Sequence, residues 1–100
     1  PAYLVGAALE NAVGESLMEY MRPRLLAPLG IADLPHRLCP RGHFYGASGM
    51  ELTVEELALF GRLYEQKGCL GGTRYLSEAW VQQATSCQIE NDRGGYGYFF

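Results

Sequence analysis

The chain has 100 residues, a net charge of −3 and 19% charged side chains, enough for one small domain with a modest core. An apolar share of 48% excludes a disordered chain, and the scattered arginines supply no basic field for nucleic acid or an anionic lipid surface. No run approaches the roughly 20 apolar residues of a membrane span, and Cys39, Cys69 and Cys87 form no disulfide framework, so reduced thiols are the default.

In chain order, Pro1 to Val13 reads as a helix with proline tolerated in its first turn and Gly14 as its stop. Val5, Ala8, Leu9 and Ala12 share one face, and the scarcity of polar residues predicts burial on most sides. Ser16 and Glu19 then form a capping box ahead of Leu17, Tyr20, Met21 and Leu25. Pro23 removes a backbone donor and crowds the carbonyl of Glu19, which predicts a kink or restart. Pro28-Leu29-Gly30 takes the chain out of helix. From Ile31 to Ser48 the sequence is irregular, with Pro35, Pro40, Gly42 and Gly46; connections of that length are often functional.

Thr53 and Glu56 form a second capping box. Val54, Leu57, Ala58, Gly61 and Tyr64, widened by Phe60, predict the inner face of the helix that follows, with Gly68 as its left-handed stop. Gly71-Gly72 predicts a tight turn, and Ser77 caps a further helix with Trp80, Val81 and Ala84 inward. Gly94 to Phe100 reads as a turn into an aromatic-rich strand. One strand does not stand alone, so its partners are expected from elsewhere. Pro1 in place of methionine, and a final Phe99-Phe100 in mid-pattern, make both ends read as cut.

Few residues offer chemistry. His36, Cys39 and His43 are metal-ligand types close in sequence, but a closed zinc site needs four ligands and no paired cysteine motif supplies the rest. A Cys39–His43 nucleophile pair lacks an orienting third group near it in sequence. Glu55 and Glu56 open a helix, where acids favour the macrodipole, and Glu90 with Asp92 reads as a solvated loop. Gly46, Gly49, Gly71 and Gly72 form no phosphate loop. Lys67 is the sole lysine and Tyr64 stands three residues before it, so a Ser-x-x-Lys nucleophile is absent. Tyr20, Phe60, Tyr64 and Trp80 are assigned to packing, with Phe44 and Tyr45 left open because the long loop carries them.

Several stretches in order resemble a known family. Pro1 to Glu10 followed by Val13 to Leu17 is similar to the helix pair that comes after the Tyr-x-Asn motif of penicillin-recognising serine hydrolases. These are the class C β-lactamases, the D-alanyl-D-alanine carboxypeptidases and related esterases. Pro28-Leu29-Gly30-Ile31 resembles the family's Pro-Leu-Gly-Met. Ser48-Gly49-Met50 through Thr53, with Glu55-Glu56-Leu57, resembles Gly-Gly-x-x-Ser/Thr-x-x-Asp-Leu. Gly68 to Gly72 with Leu76-Ser77 resembles the glycine turn and Leu-Ser, and Gly95 to Tyr98 resembles the Gly-Tyr-Gly strand. Pro23 and the short Ile31–Tyr45 loop depart from the pattern and favour a peptidase or esterase as much as a β-lactamase.

The resemblance implies a mainly α fold. Residues 1–94 would be a helical lobe of a β-lactamase-like α/β serine hydrolase, and residues 95–100 the start of a strand in a sheet formed by other segments. The lobe would be one wall of the active-site cleft, acting on a small-molecule or peptide substrate. Its partner would be the rest of the hydrolase, which carries the catalytic motifs, so no catalytic position falls on this chain and no metal or organic cofactor is implied. The loop ending at Ser48-Gly49 would run along the substrate entrance, making Tyr45, Ser48 and Gly49 the candidate substrate contacts. A rival reading is a self-standing helical protein-interaction module whose aromatic tail pairs in a dimer or docks on a partner.

Overall fold

A computed structural model describes residues 1–32 and 34–100. They form helices α1 (Ala2–Val13), α2 (Leu17–Met21), α3 (Val54–Glu65) and α4 (Glu78–Thr85), with a π-helical turn over Arg22–Leu26. Strands β1 (Cys69–Leu70) and β2 (Thr73–Arg74) make one antiparallel pair, β3 (Ile89–Asn91) and β4 (Gly94–Tyr96) another. The fold is thus mixed α/β, helix-rich with two small sheets. It divides into two compact units, Pro1–Leu57 and Ala58–Phe100.

In the first unit, α1 ends where Gly14 takes a left-handed conformation and returns its N–H to the Glu10 carbonyl. Both halves of the Ser16/Glu19 capping box form: the hydroxyl accepts from the Glu19 amide, and the carboxylate accepts from the Ser16 amide. Pro23 acts as anticipated, because it cannot supply the donor that the Glu19 carbonyl would take in an α-helix. The chain widens by one residue, and the Ala27 N–H reaches back five positions to the Arg22 carbonyl at 2.9 Å. Buried Leu17, Met18, Leu26, Leu29, Ile31, Leu34 and Phe44 form the core of this unit.

The inner face of α1 differs from the expected one. Gly6 and Glu10 are buried, whereas Leu4 and Val5 are 69% and 58% exposed and Ala8 and Ala12 are also exposed. A helix apolar nearly all round has a weak directional signal. The choice falls to a glycine that admits the Leu17 side chain and to a carboxylate that finds partners.

In the second unit, Leu63, Val81 and Ala84 are buried. On α3 the inward stripe runs through Leu59, Phe60, Leu63 and Tyr64, so the predicted Val54–Leu57–Ala58–Gly61 face is corrected; Val54 is 80% exposed. The helix stops in a Schellman motif, with Gly68 N–H on the Leu63 carbonyl and Lys67 N–H on that of Tyr64. The left-handed C′ position therefore belongs to Lys67 (φ 56°), one residue before the expected Gly68. Gly68 is needed for another reason: its α-carbon lies against the Leu76 carbonyl, and its own carbonyl accepts from the Tyr75 and Leu76 amides.

Gly71 and Gly72, both at positive φ (58° and 80°), make the two-residue hairpin turn between β1 and β2. Ser77 accepts from the Trp80 amide as the cap of α4. Val81 and Ala84 point inward as expected, but Trp80 is 45% exposed and lies against Tyr98, ring centroids 5.7 Å apart.

The C-terminal strand finds its first partner inside the chain, contrary to expectation. Ile89–Asn91, read as a solvated loop because of Glu90 and Asp92, pairs antiparallel with Gly94–Tyr96. The Asn91 side chain accepts from the Arg93 amide and shapes the turn. Beyond Tyr96 the chain leaves the extended path: the Tyr98 N–H donates to the Ala84 carbonyl at 2.8 Å, and Phe100 packs on Tyr64.

Candidate functional site

The segment from Pro35 to Glu51 has no continuous strand, yet its backbone is paired. His36 lies opposite Met50 in an isolated antiparallel bridge, held by Arg37 N–H on the Gly49 carbonyl (2.8 Å) and Glu51 N–H on that of Pro35 (2.9 Å). Farther in, Leu38 faces Phe44 around a tight turn in which Cys39 N–H meets the His43 carbonyl and Gly42 N–H that of Cys39. The long loop is therefore an irregular hairpin. Phe44 goes into the core, and neighbouring Tyr45 stays 38% exposed.

Tyr45, Ser48 and Gly49 come together at the outer end of this hairpin. With Arg37, Met50 and Glu51 they line an open depression of about 470 Å³. Pairing puts Arg37 and Gly49 opposite each other, with Glu51 diagonal to Arg37 on the same face. Gly49 is at φ 84°, and a side chain there would meet the Arg37 β-carbon at 3.1 Å. Arg37, Tyr45, Ser48 and Glu51 line the depression around this glycine. Such a rim offers hydrogen bonds of both signs and one aromatic surface.

A second cluster fastens the inner end of the hairpin to α1. Glu10, in the middle of an apolar helix, is buried. One carboxylate oxygen accepts from the Leu17 N–H at 2.9 Å and the other pairs with His43 Nδ1. The Leu17 amide above all, then the His43 ring, holds the Glu10 carboxyl below the usual carboxylate range, outweighing its desolvation. Seven residues earlier, Tyr3 meets the His43 ring edge-on at 6.3 Å and brings its hydroxyl to 3.4 Å from Cys39 Sγ. That phenol, followed by the backbone N–H groups of Arg41 and His43, pulls the Cys39 thiol down from its ordinary value, and the Tyr3 hydroxyl is pushed up.

Glu10 is the orienting group absent from the neighbourhood of Cys39 and His43 in sequence, and it comes from 33 residues away. It does not complete a nucleophile pair, because the Cys39 sulfur takes Tyr3 as its side-chain partner. His36 turns to the Leu34 carbonyl and the edge of Phe44. Among the described residues no three histidine, cysteine or acidic side chains gather as a metal site, and no helix is long and apolar enough to cross a membrane. Sequence reading missed Tyr3, Glu10 and Arg37. For Glu10 a signal existed: it is the single charged residue of its helix, four positions from Gly6. No known protein-family model matches the chain, and no curated protein is significantly similar to it.

Proposed function

We propose that this chain is the helical lobe of a serine acyl-transfer hydrolase of the penicillin-recognising group, forming one wall of its cleft. The ordered motifs from Pro1 to Tyr98 support this reading. The observation that carries it is the convergence of Tyr45, Ser48 and Gly49 on one depression. In the enzyme a serine attacks an amide or ester carbonyl, a lysine and a tyrosine of other segments move its proton, and backbone amides hold the oxyanion. This lobe contributes binding: the Tyr45 ring and Ser48 hydroxyl touch the part of the substrate lying away from the reacting carbonyl.

The natural gene product is assayed with a chromogenic cephalosporin and a short-chain nitrophenyl ester. It is expected to turn over at least one of them, with Tyr45→Ala raising KM more than it lowers kcat. The 100-residue chain alone is expected to turn over neither. Robust hydrolysis by that chain, or an inert natural product, contradicts the reading.

A further inference from the structure

We propose that Glu10 and His43 form an acid-released clasp that fixes the 36–50 hairpin to α1 and so holds Tyr45, Ser48 and Gly49 in position. The geometry is that of a fastening. Glu10 is buried and touches two other segments at once, the start of α2 through Leu17 N–H and the hairpin through His43. Tyr3 meets the His43 ring and Cys39, and a side chain at Gly46 would sit 2.8 Å from the Ala2 carbonyl, so the hairpin lies along one side of α1. Among the described residues, Glu10 is the carboxylate that bonds both Leu17 and His43 in this contact.

Among the described residues, the titratable groups facing the pair come from α1, the hairpin turn and the neighbourhood of α2. Tyr3 and Glu10 come from α1, and Cys39 and Arg41 from the turn beside His43. Glu15 and Glu19, beside and within α2, line the same open depression as Glu10 and His43. Protonating His43 leaves its Nδ1 a donor and adds attraction to these carboxylates, so the ring does not open the clasp in acid. Protonating Glu10 does. It removes the charge that accepts from both Leu17 and His43.

The test is NMR on the 100-residue chain from neutral pH down to well below the ordinary carboxylate range, far enough to complete the Glu10 titration, and it needs no assumption about hydrolase activity. The Glu10 carboxyl carbon shift gives the titration midpoint, and protection factors report the Cys39 and Gly42 amides against those of Leu63 and Val81 in the second unit. Protection in the hairpin is expected to fall through the Glu10 midpoint, roughly tenfold for each unit by which that midpoint lies below an exposed glutamate, with the second unit unchanged. In Glu10→Gln the hairpin is expected to be loose already at pH 7 and indifferent to acid. Hairpin protection that stays constant while Glu10 titrates, or that falls only together with Leu63 and Val81, overturns the proposal. If Glu10→Gln does not fold, the wild-type titration alone decides. The relevance of the clasp to substrate rests on the hydrolase reading. An inert natural product with an acid-loosened hairpin would sink that reading and leave the clasp standing.

Discussion

A phenol 3.4 Å from a thiol makes Cys39 chemically distinct from the other two cysteines. The Tyr3 hydroxyl stabilises the thiolate by donating to it, and thiolate is the form that alkylates. In Tyr3→Phe the midpoint of the pH profile for iodoacetamide labelling at Cys39 is expected to move upward, while the Cys87 profile stays in place. An unmoved Cys39 profile would show that the contact carries no energy. Glu10 fixes the sign of a stability effect. Its folded pKa is depressed, so its stabilisation is fully present above the ordinary carboxylate range and is lost as pH falls through the folded value. Gly68 is a third case in which a single atom decides. A methyl group there meets the Leu76 carbonyl at a backbone angle of φ 89°, so Gly68→Ala is expected to destabilise the second unit by about 2 kcal/mol or more. Urea denaturation checks this, and a midpoint unchanged from wild type would contradict the packing described.

At the scale of elements, the sequence disclosed beginnings and ends better than faces. The Ser16, Thr53 and Ser77 caps are local chemistry, complete within four residues, and all three form. Ser77→Ala removes the hydroxyl that accepts from the Trp80 amide and is expected to cost about 1 kcal/mol, read as a lowered thermal midpoint; no change would mean that water replaces the cap. Faces were less legible because α1 and α3 carry apolar residues on more than one side. Val54 and Leu57 match a helical period as well as Leu59 and Leu63 do, and packing decides between them. Strand β3 was invisible because Ile89-Glu90-Asn91 has little strand propensity and is held by pairing with β4. The candidate site divides in the same way. Tyr45, Ser48 and Gly49 are close in sequence and were named together. Tyr3 and Glu10 reach the hairpin only through tertiary packing, which no local pattern encodes.

For the whole molecule, the distribution of apolar surface is the main fact. Leu4, Val5, Val54 and Leu57 are exposed in the first unit, and Ile89, Tyr96 and Phe99 in the second. A lobe that rests on further protein would carry such surface, and so would an interaction module. Leu4→Glu is expected to change the stability of the 100-residue chain by no more than about 0.5 kcal/mol, read by urea denaturation. A large loss of stability would mean that Leu4 packs inside the chain.

In the proposed hydrolase, the serine, lysine and tyrosine of the acyl-transfer site belong to the same natural polypeptide as this chain. Determining the residues that precede Pro1 in that polypeptide tests it most directly. Tyr-x-Asn is expected immediately before Pro1 and Ser-x-x-Lys farther toward the N-terminus. A polypeptide that starts near Pro1, or a preceding stretch lacking both motifs, would contradict it.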